Sequence, residues 1–227
     1  MTPSRRVPAR LIAWLAALLP LVAGHGAYLL SASQDLVPWC IPHLEGCTSV
    51  SRAAREGSAN LLFKALMLPY SVMVAWFWWL AARWLREALP GHVRTVRLLF
   101  PFGLVVALAT GLYTAALGAD GESYQWLRRY GINLSFAFTV LAELLVTAAV
   151  ARDERVPRAL RRAMVGTCLA LLLLGLASIP LQYFAGTRHP ALNAIEWTYA
   201  VLMLAFYPLV GAAWRRTAPP PTARAPA

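Results

Sequence analysis

The chain has 227 residues, of which 59% are hydrophobic and only 14% charged, with a mean hydropathy of +0.55. That is too apolar for one soluble core of this size, so lipid must solvate much of it, and six spans with short loops leave no room for a soluble catalytic domain. The net charge of +11 does not point to nucleic acid, because the basic residues cluster at the ends of apolar runs instead of along one amphipathic face.

The first apolar run spans 11–30 and contains Pro20 and His25. Arg5 and Arg6 precede it, and Ala23, Gly24, Gly26 and Ala27 have the small side chains of a leader's cleavage region. The run continues through Tyr28, Leu29 and Leu30, so it reads as a retained span rather than a removed leader.

The loop over 31–60 is the longest connection. Cys40 and Cys47 enclose Pro42 and Gly46, so a turn could join the two sulfurs in an oxidising compartment; free thiols are the alternative. His43 and Glu45 lie beside them without the paired spacing of a zinc site, and no metal is expected. Ser49, Ser51, Arg52 and Arg55 form a candidate lipid-headgroup loop, since arginine matches phosphate oxygens in pairs. Solvated charges or an internal ion pair are the plainer reading. Arg52 and Glu56 have the four-residue spacing of a short helix lying at the interface.

The second run, 61–82, brings Asn60 and Lys64 one turn apart at its start and Trp76, Trp78, Trp79 and Trp84 toward its end, where they read as an interfacial aromatic belt. The third, 98–118, has Gly103, Ala107 and Gly111 on one face, a packing surface for another helix. The fourth, 132–151, starts beside Asn133 and carries Glu143, which at 1.5 Å per residue lies roughly 17 Å from the outer end, too deep to reach the interface. The fifth, 164–186, holds Gln182. The sixth, 194–214, opens with Asn193, Glu196, Trp197 and Tyr199. None has the period of two of a barrel strand, so all six are expected to be helices, bent locally by Pro20, Pro69, Pro101, Pro180 and Pro208.

Fifteen arginines fall at the N-terminus, the second and fourth connections and the C-terminus; five fall on the other side. By the positive-inside rule both termini are cytoplasmic and loop 31–60 is exported. The expected fold class is therefore all-α: a polytopic six-transmembrane-helix bundle forming one domain over 1–216, followed by a disordered Pro/Ala-rich cytoplasmic tail over 217–227.

Most polar groups in the spans fall in the outer half. His25, Asn60, Lys64, Asn133, Glu143, Gln182, Asn193, Glu196, Trp197 and Tyr199 would line a polar pocket if their faces turn inward. Each has a plainer reading: Lys64 can snorkel, Glu196 and Asn193 can cap a helix end, and Glu143 can be a structural hydrogen-bonding group.

Six spans, the run Cys47-Thr48-Ser49-Val50-Ser51-Arg52-Ala53-Ala54 leading to the second span, and Asn193-Ala194-Ile195-Glu196-Trp197 opening the sixth together resemble the Frag/DRAM/Sfk family. That family includes a protein of lipid remodelling after GPI attachment and damage-regulated autophagy modulators. The resemblance implies a six-span fold and a role at membrane lipid. It matches Ser49 and Ser51 to a Ser-x-Ser region, and Asn193, Glu196 and Trp197 to the polar-aromatic start of the last helix. It departs at Arg128-Arg129-Tyr130-Gly131, where members often carry a histidine.

The function expected from these features is binding or handling of a membrane lipid through the outer-half pocket, without cofactor or metal. A lipid-modifying enzyme using Glu143 or Glu196 is the sharper form, but no nucleophile and base pair can be assembled. The alternative is a structural or accessory subunit with a membrane-protein partner; a small transporter ranks below both. The arginine-rich, lysine-poor composition fits a GC-rich bacterial genome and hence a bacterial inner membrane.

Overall fold

The computed structural model describes residues 9–89, 91–186 and 189–217. Arg5, Arg6, Arg188 and Arg224 of the charge pattern, and the tail beyond Thr217, lie outside the described residues. Six long helices account for most of the described chain: α1 (Ala9–Ser33), α4 (Gly57–Ala88), α5 (Val93–Ala116), α6 (Glu122–Val150), α7 (Arg158–Ala185) and α8 (Pro190–Thr217). Two single-turn helices, α2 (Pro42–Glu45) and α3 (Val50–Ala53), lie in the connection between α1 and α4.

Each long helix outruns its apolar core, because hydrogen bonds within the helix satisfy the backbone in hydrocarbon and continue through the polar boundary. α4 starts at Gly57 rather than Leu61, and α6 at Glu122 rather than Ile132. The five prolines expected to bend the spans lie inside helices that continue past them. All six are long and apolar enough to cross a membrane.

The helices form a ring in chain order, α1 against α4, α4 against α5, onward to α8 against α1. The α6–α7 seam is its thinnest contact. α7 is set apart: 17% of its apolar window is buried, against 39–44% in the other five helices. Its Leu169, Leu172, Leu173, Leu176 and Ile179 point outward, as a lipid-facing helix requires.

One end of the bundle, here the basic face, is tied by polar staples. Arg155 donates to the carbonyls of Ala88 and Thr217, the last residues of α4 and α8, and pairs with Asp153 at 2.7 Å. This pairing holds the Asp153 carboxyl below its ordinary value. Trp84 Nε1 donates to Thr217 Oγ1 at 2.8 Å, and its ring stacks on Trp214.

Two sequence expectations need correction. Trp78 and Trp84 are not belt residues: both are buried, Trp78 between Phe77 and Tyr207. Only Trp76 and Trp79 face outward, the latter under the Arg83 guanidinium. An α-helix turns about 100° per residue, so neighbouring tryptophans cannot share one face. The Gly103–Ala107–Gly111 face is also internal. A Cβ at Gly103 would overlap Trp78, and Gly111 lies against Ser71, so these small residues serve the α4–α5 contact and offer nothing to another protein.

Candidate ligand cavity and its cap

At the opposite end, the capped face, residues 34–56 fold over the bundle. A disulfide joins Cys40 to Cys47 around α2. Gly46 ends that helix in the left-handed region at φ 60°, and a Cβ there would collide with the Pro190 carbonyl. The loop then passes the start of α8 in an extended course, making three hydrogen bonds. Asn193 Nδ2 donates to Gly46 O at 2.8 Å, Trp197 Nε1 donates to Thr48 O at 2.8 Å, and Val50 N donates to Glu196 Oε1 at 3.2 Å. Tyr28 of α1 holds the disulfide turn, donating to Cys40 O and accepting from Cys40 N, both at 2.8 Å.

Beneath this loop two histidines meet. His25 Nδ1 lies 2.9 Å from the Leu21 carbonyl, which can only accept, so Nδ1 carries the hydrogen and Nε2 is left as an acceptor. His43 Nε2 lies 3.1 Å from His25 Nε2 and is therefore the donor. The two rings stack, and Trp197 packs edge-on against both. Burial, together with the nearby His25, holds His43 below its ordinary value of 6.5.

Under the cap lies an internal cavity of about 80 Å³, bounded by α1, α4, α5, α6 and α8. His25, Trp197 and Glu196 form its top. Lower down it is lined by Thr110 and Ser135, bonded to each other at 2.7 Å, and by Thr139 and Tyr70. Outside it, between α6, α7 and α8, an open groove of about 410 Å³ runs past Asn133, Ala137, Ser178 and Tyr199. Ile132, Phe136 and Glu196 line both spaces and so form a shared wall between them.

The ten pocket residues expected from sequence do not converge on one site. His25, Glu196 and Trp197 line the cavity, while Asn133 and Tyr199 line the groove. Asn193 is bonded to the loop backbone, and Asn60 bonds the carbonyls of Ala54 and Leu117. Lys64 is half-buried outside both spaces and makes no ion pair among the described residues. Gln182 is exposed on α7. Glu143 is completely buried but lies two turns past Ser135, beyond the cavity floor; neither of its oxygens has a hydrogen-bond partner. The expected grouping of Lys64, Glu143 and Glu196 in one pocket is therefore incorrect: Lys64 lies outside the cavity, and Glu143 shares the inward face of Ser135 and Thr139 but sits below the floor.

The headgroup loop is also more structural than expected. Ser49 Oγ caps α3 by accepting from Arg52 N at 3.2 Å, and lies 3.5 Å from Ser51 Oγ. Arg52 and Arg55 remain exposed. α3 stops at Ala53, and Glu56 is the N-cap residue of α4, so the expected Arg52–Glu56 helix does not form. At the start of α6, Arg128 caps α5 by donating to the carbonyls of Ala116 and Ala119. Residues with a part in the site that were missed from sequence include Tyr70, Thr110, Ile132, Phe136, Ser135 and Thr139. Ser135 and Thr139 could have been read from their four-residue spacing with Glu143.

Fold and site together define a multi-pass integral membrane protein with a capped intramembrane cavity. Compared with known proteins, the chain matches no family model, no curated protein and no solved structure.

Proposed function

We propose that this protein binds a membrane lipid, whose polar head reaches the cavity sideways from the bilayer through the groove between α6 and α8. The observation that carries this reading is the shared wall of Ile132, Phe136 and Glu196 between the lipid-facing groove and the interior cavity. The groove, at about 410 Å³, has room for a headgroup while the acyl chains stay in the bilayer, and the cavity, at about 80 Å³, admits only a small polar tip. Glu196, Ser51 and Asn133 border the groove and suit a headgroup that donates hydrogen bonds, such as one bearing an amine or hydroxyls.

The capped face is then the outer one, as the arginine asymmetry supports, with both ends of the chain in the cytoplasm and the disulfide in an oxidising compartment. The resemblance to the Frag/DRAM/Sfk family and residence in a bacterial inner membrane belong to the same proposal. The accessory-subunit reading loses its main support, because the small-residue face of α5 is occupied by α4.

The test is native mass spectrometry of gently extracted protein. Wild type should retain one lipid class; Ala137→Trp, which fills the groove, should lose it, and Glu196→Gln should weaken it. Undiminished lipid on Ala137→Trp, or a stoichiometric protein partner with no lipid, would refute the reading.

A further inference from the structure

Glu143 is the unexplained group of this molecule. It is 0% exposed, with no partner for either carboxyl oxygen. It does not stand alone on its helix. Ser135, Thr139, Glu143 and Thr147 recur every fourth residue of α6, all buried on one face, and form a polar ladder through an otherwise apolar core. The upper two rungs line the cavity; the lowest, Thr147, lies 3.3 Å from Cys168 of α7.

Side chains on a helix lean toward its N-terminus, which for α6 is the capped face. Glu143 therefore leans up toward Thr139 and the cavity floor. Adjacent rungs are roughly 5–6 Å apart between Cβ atoms, a gap that a glutamate side chain or one water spans. The cavity has room for such water, since about 10–15 Å³ suffices for one molecule. Below Thr147 the route closes, because Val146 and Val150 are buried against packed apolar side chains.

We propose that Glu143 is a protonation site reached from one face of the membrane only, through the capped cavity and the hydroxyl ladder of Ser135 and Thr139. A hydronium in the cavity gives up its proton, each relaying water or hydroxyl accepts one proton as it releases another, with Thr139 turning its hydrogen from the Ser135 carbonyl it bonds at 2.7 Å toward Glu143, and the carboxylate becomes the acid; release runs the same steps backward. The groups around it fit this role. Tyr70 of α4, Cys168 of α7, and Tyr199 and Tyr207 of α8 are the titratable groups around it, and it forms no ion pair among the described residues. With no cation beside it, the neutral acid is the form this surrounding tolerates. Tyr70 and Tyr207 share one hydrogen bond at 3.2 Å, which leaves one hydroxyl hydrogen of the pair free to turn toward a carboxylate when the proton leaves. A site with a single open side responds to the acidity of that side and does not carry protons across. The inference needs only water in the cavity and is independent of the lipid reading.

Infrared spectroscopy of the full chain in vesicles tests it. Wild type should show a protonated-carboxyl band that Glu143→Gln lacks and that shifts on exchange into D2O. Thr139→Val keeps the carboxyl but removes a rung, and should slow that shift about tenfold, the cost of one lost hydrogen bond; Thr139→Ser should restore it. A band that never exchanges, or that exchanges as fast in Thr139→Val as in wild type, would overturn the proposal. So would a spectrum from which Glu143→Gln removes nothing.

Discussion

Glu196 and Glu143 belong to facing helices of one bundle, yet their surroundings are opposite. Around Glu196 the polar groups are matched: a backbone N–H meets its carboxylate, and Asn193 and Trp197 on the same turn of α8 each find a loop carbonyl. At Glu143 neighbouring hydroxyl and thiol groups bond one another, and neither carboxyl oxygen is matched. The first region is held in one geometry by its hydrogen bonds, whereas the second retains a costly group that contributes no bond to the fold. Stability explains the cap; it does not explain Glu143.

The largest expected effect is at the cap. Trp197→Ala removes a side chain only 1% exposed together with its bond to Thr48, and should cost about 3–5 kcal/mol. Thermal unfolding in detergent and protease cleavage within 34–56 would both register it; an unchanged melting temperature would mean that the loop closes without α8. The next effect has the opposite sign. Glu143→Leu should raise stability by about 1–3 kcal/mol, because an apolar group replaces an unpartnered polar one. Destabilisation instead would show that the carboxyl has a bonding partner after all, and the contrast between the two regions would fail.

The smallest effect is a pH dependence of the cap. His43 is held below 6.5, so its share of cap stability is present above that pH and is lost as the pH falls through the lowered folded value. Protonation of His43 places a cation in a partly desolvated stack against His25 and Trp197, which burial penalises. Trp197 packs on both rings, and its fluorescence should change as the cap loosens on acidification, but not in His43→Gln. An identical response in that variant would assign the change elsewhere.

How much of this could be read from the sequence follows from which forces are local. The six helices were legible because hydrocarbon demands long apolar runs, and that demand is written residue by residue. Burial within the bundle was not. Trp78 and Trp76 have the same chemistry and differ only in helical facing, so calling both a belt failed for Trp78. The candidate pocket failed in part the same way: Lys64 and Gln182 have facings the sequence does not carry, whereas Glu143 faces inward and lies below a cavity floor whose depth no local signal marks. The segments carrying the family resemblance, 47–54 and 193–197, proved to be hydrogen-bonded to each other, a pairing with no local signal at all.

That pairing also orders events in time. The three bonds closing the cap join residues 146, 149 and 147 positions apart, so the loop that follows α1 waits for the start of α8. The Cys40–Cys47 link spans only seven positions and needs nothing beyond its own segment to form. During synthesis the disulfide turn is thus ready early, while the cavity stays open to water until the last helix is threaded. Closure of the cap is a completion signal: it can form only once the start of the last span stands beside the first loop.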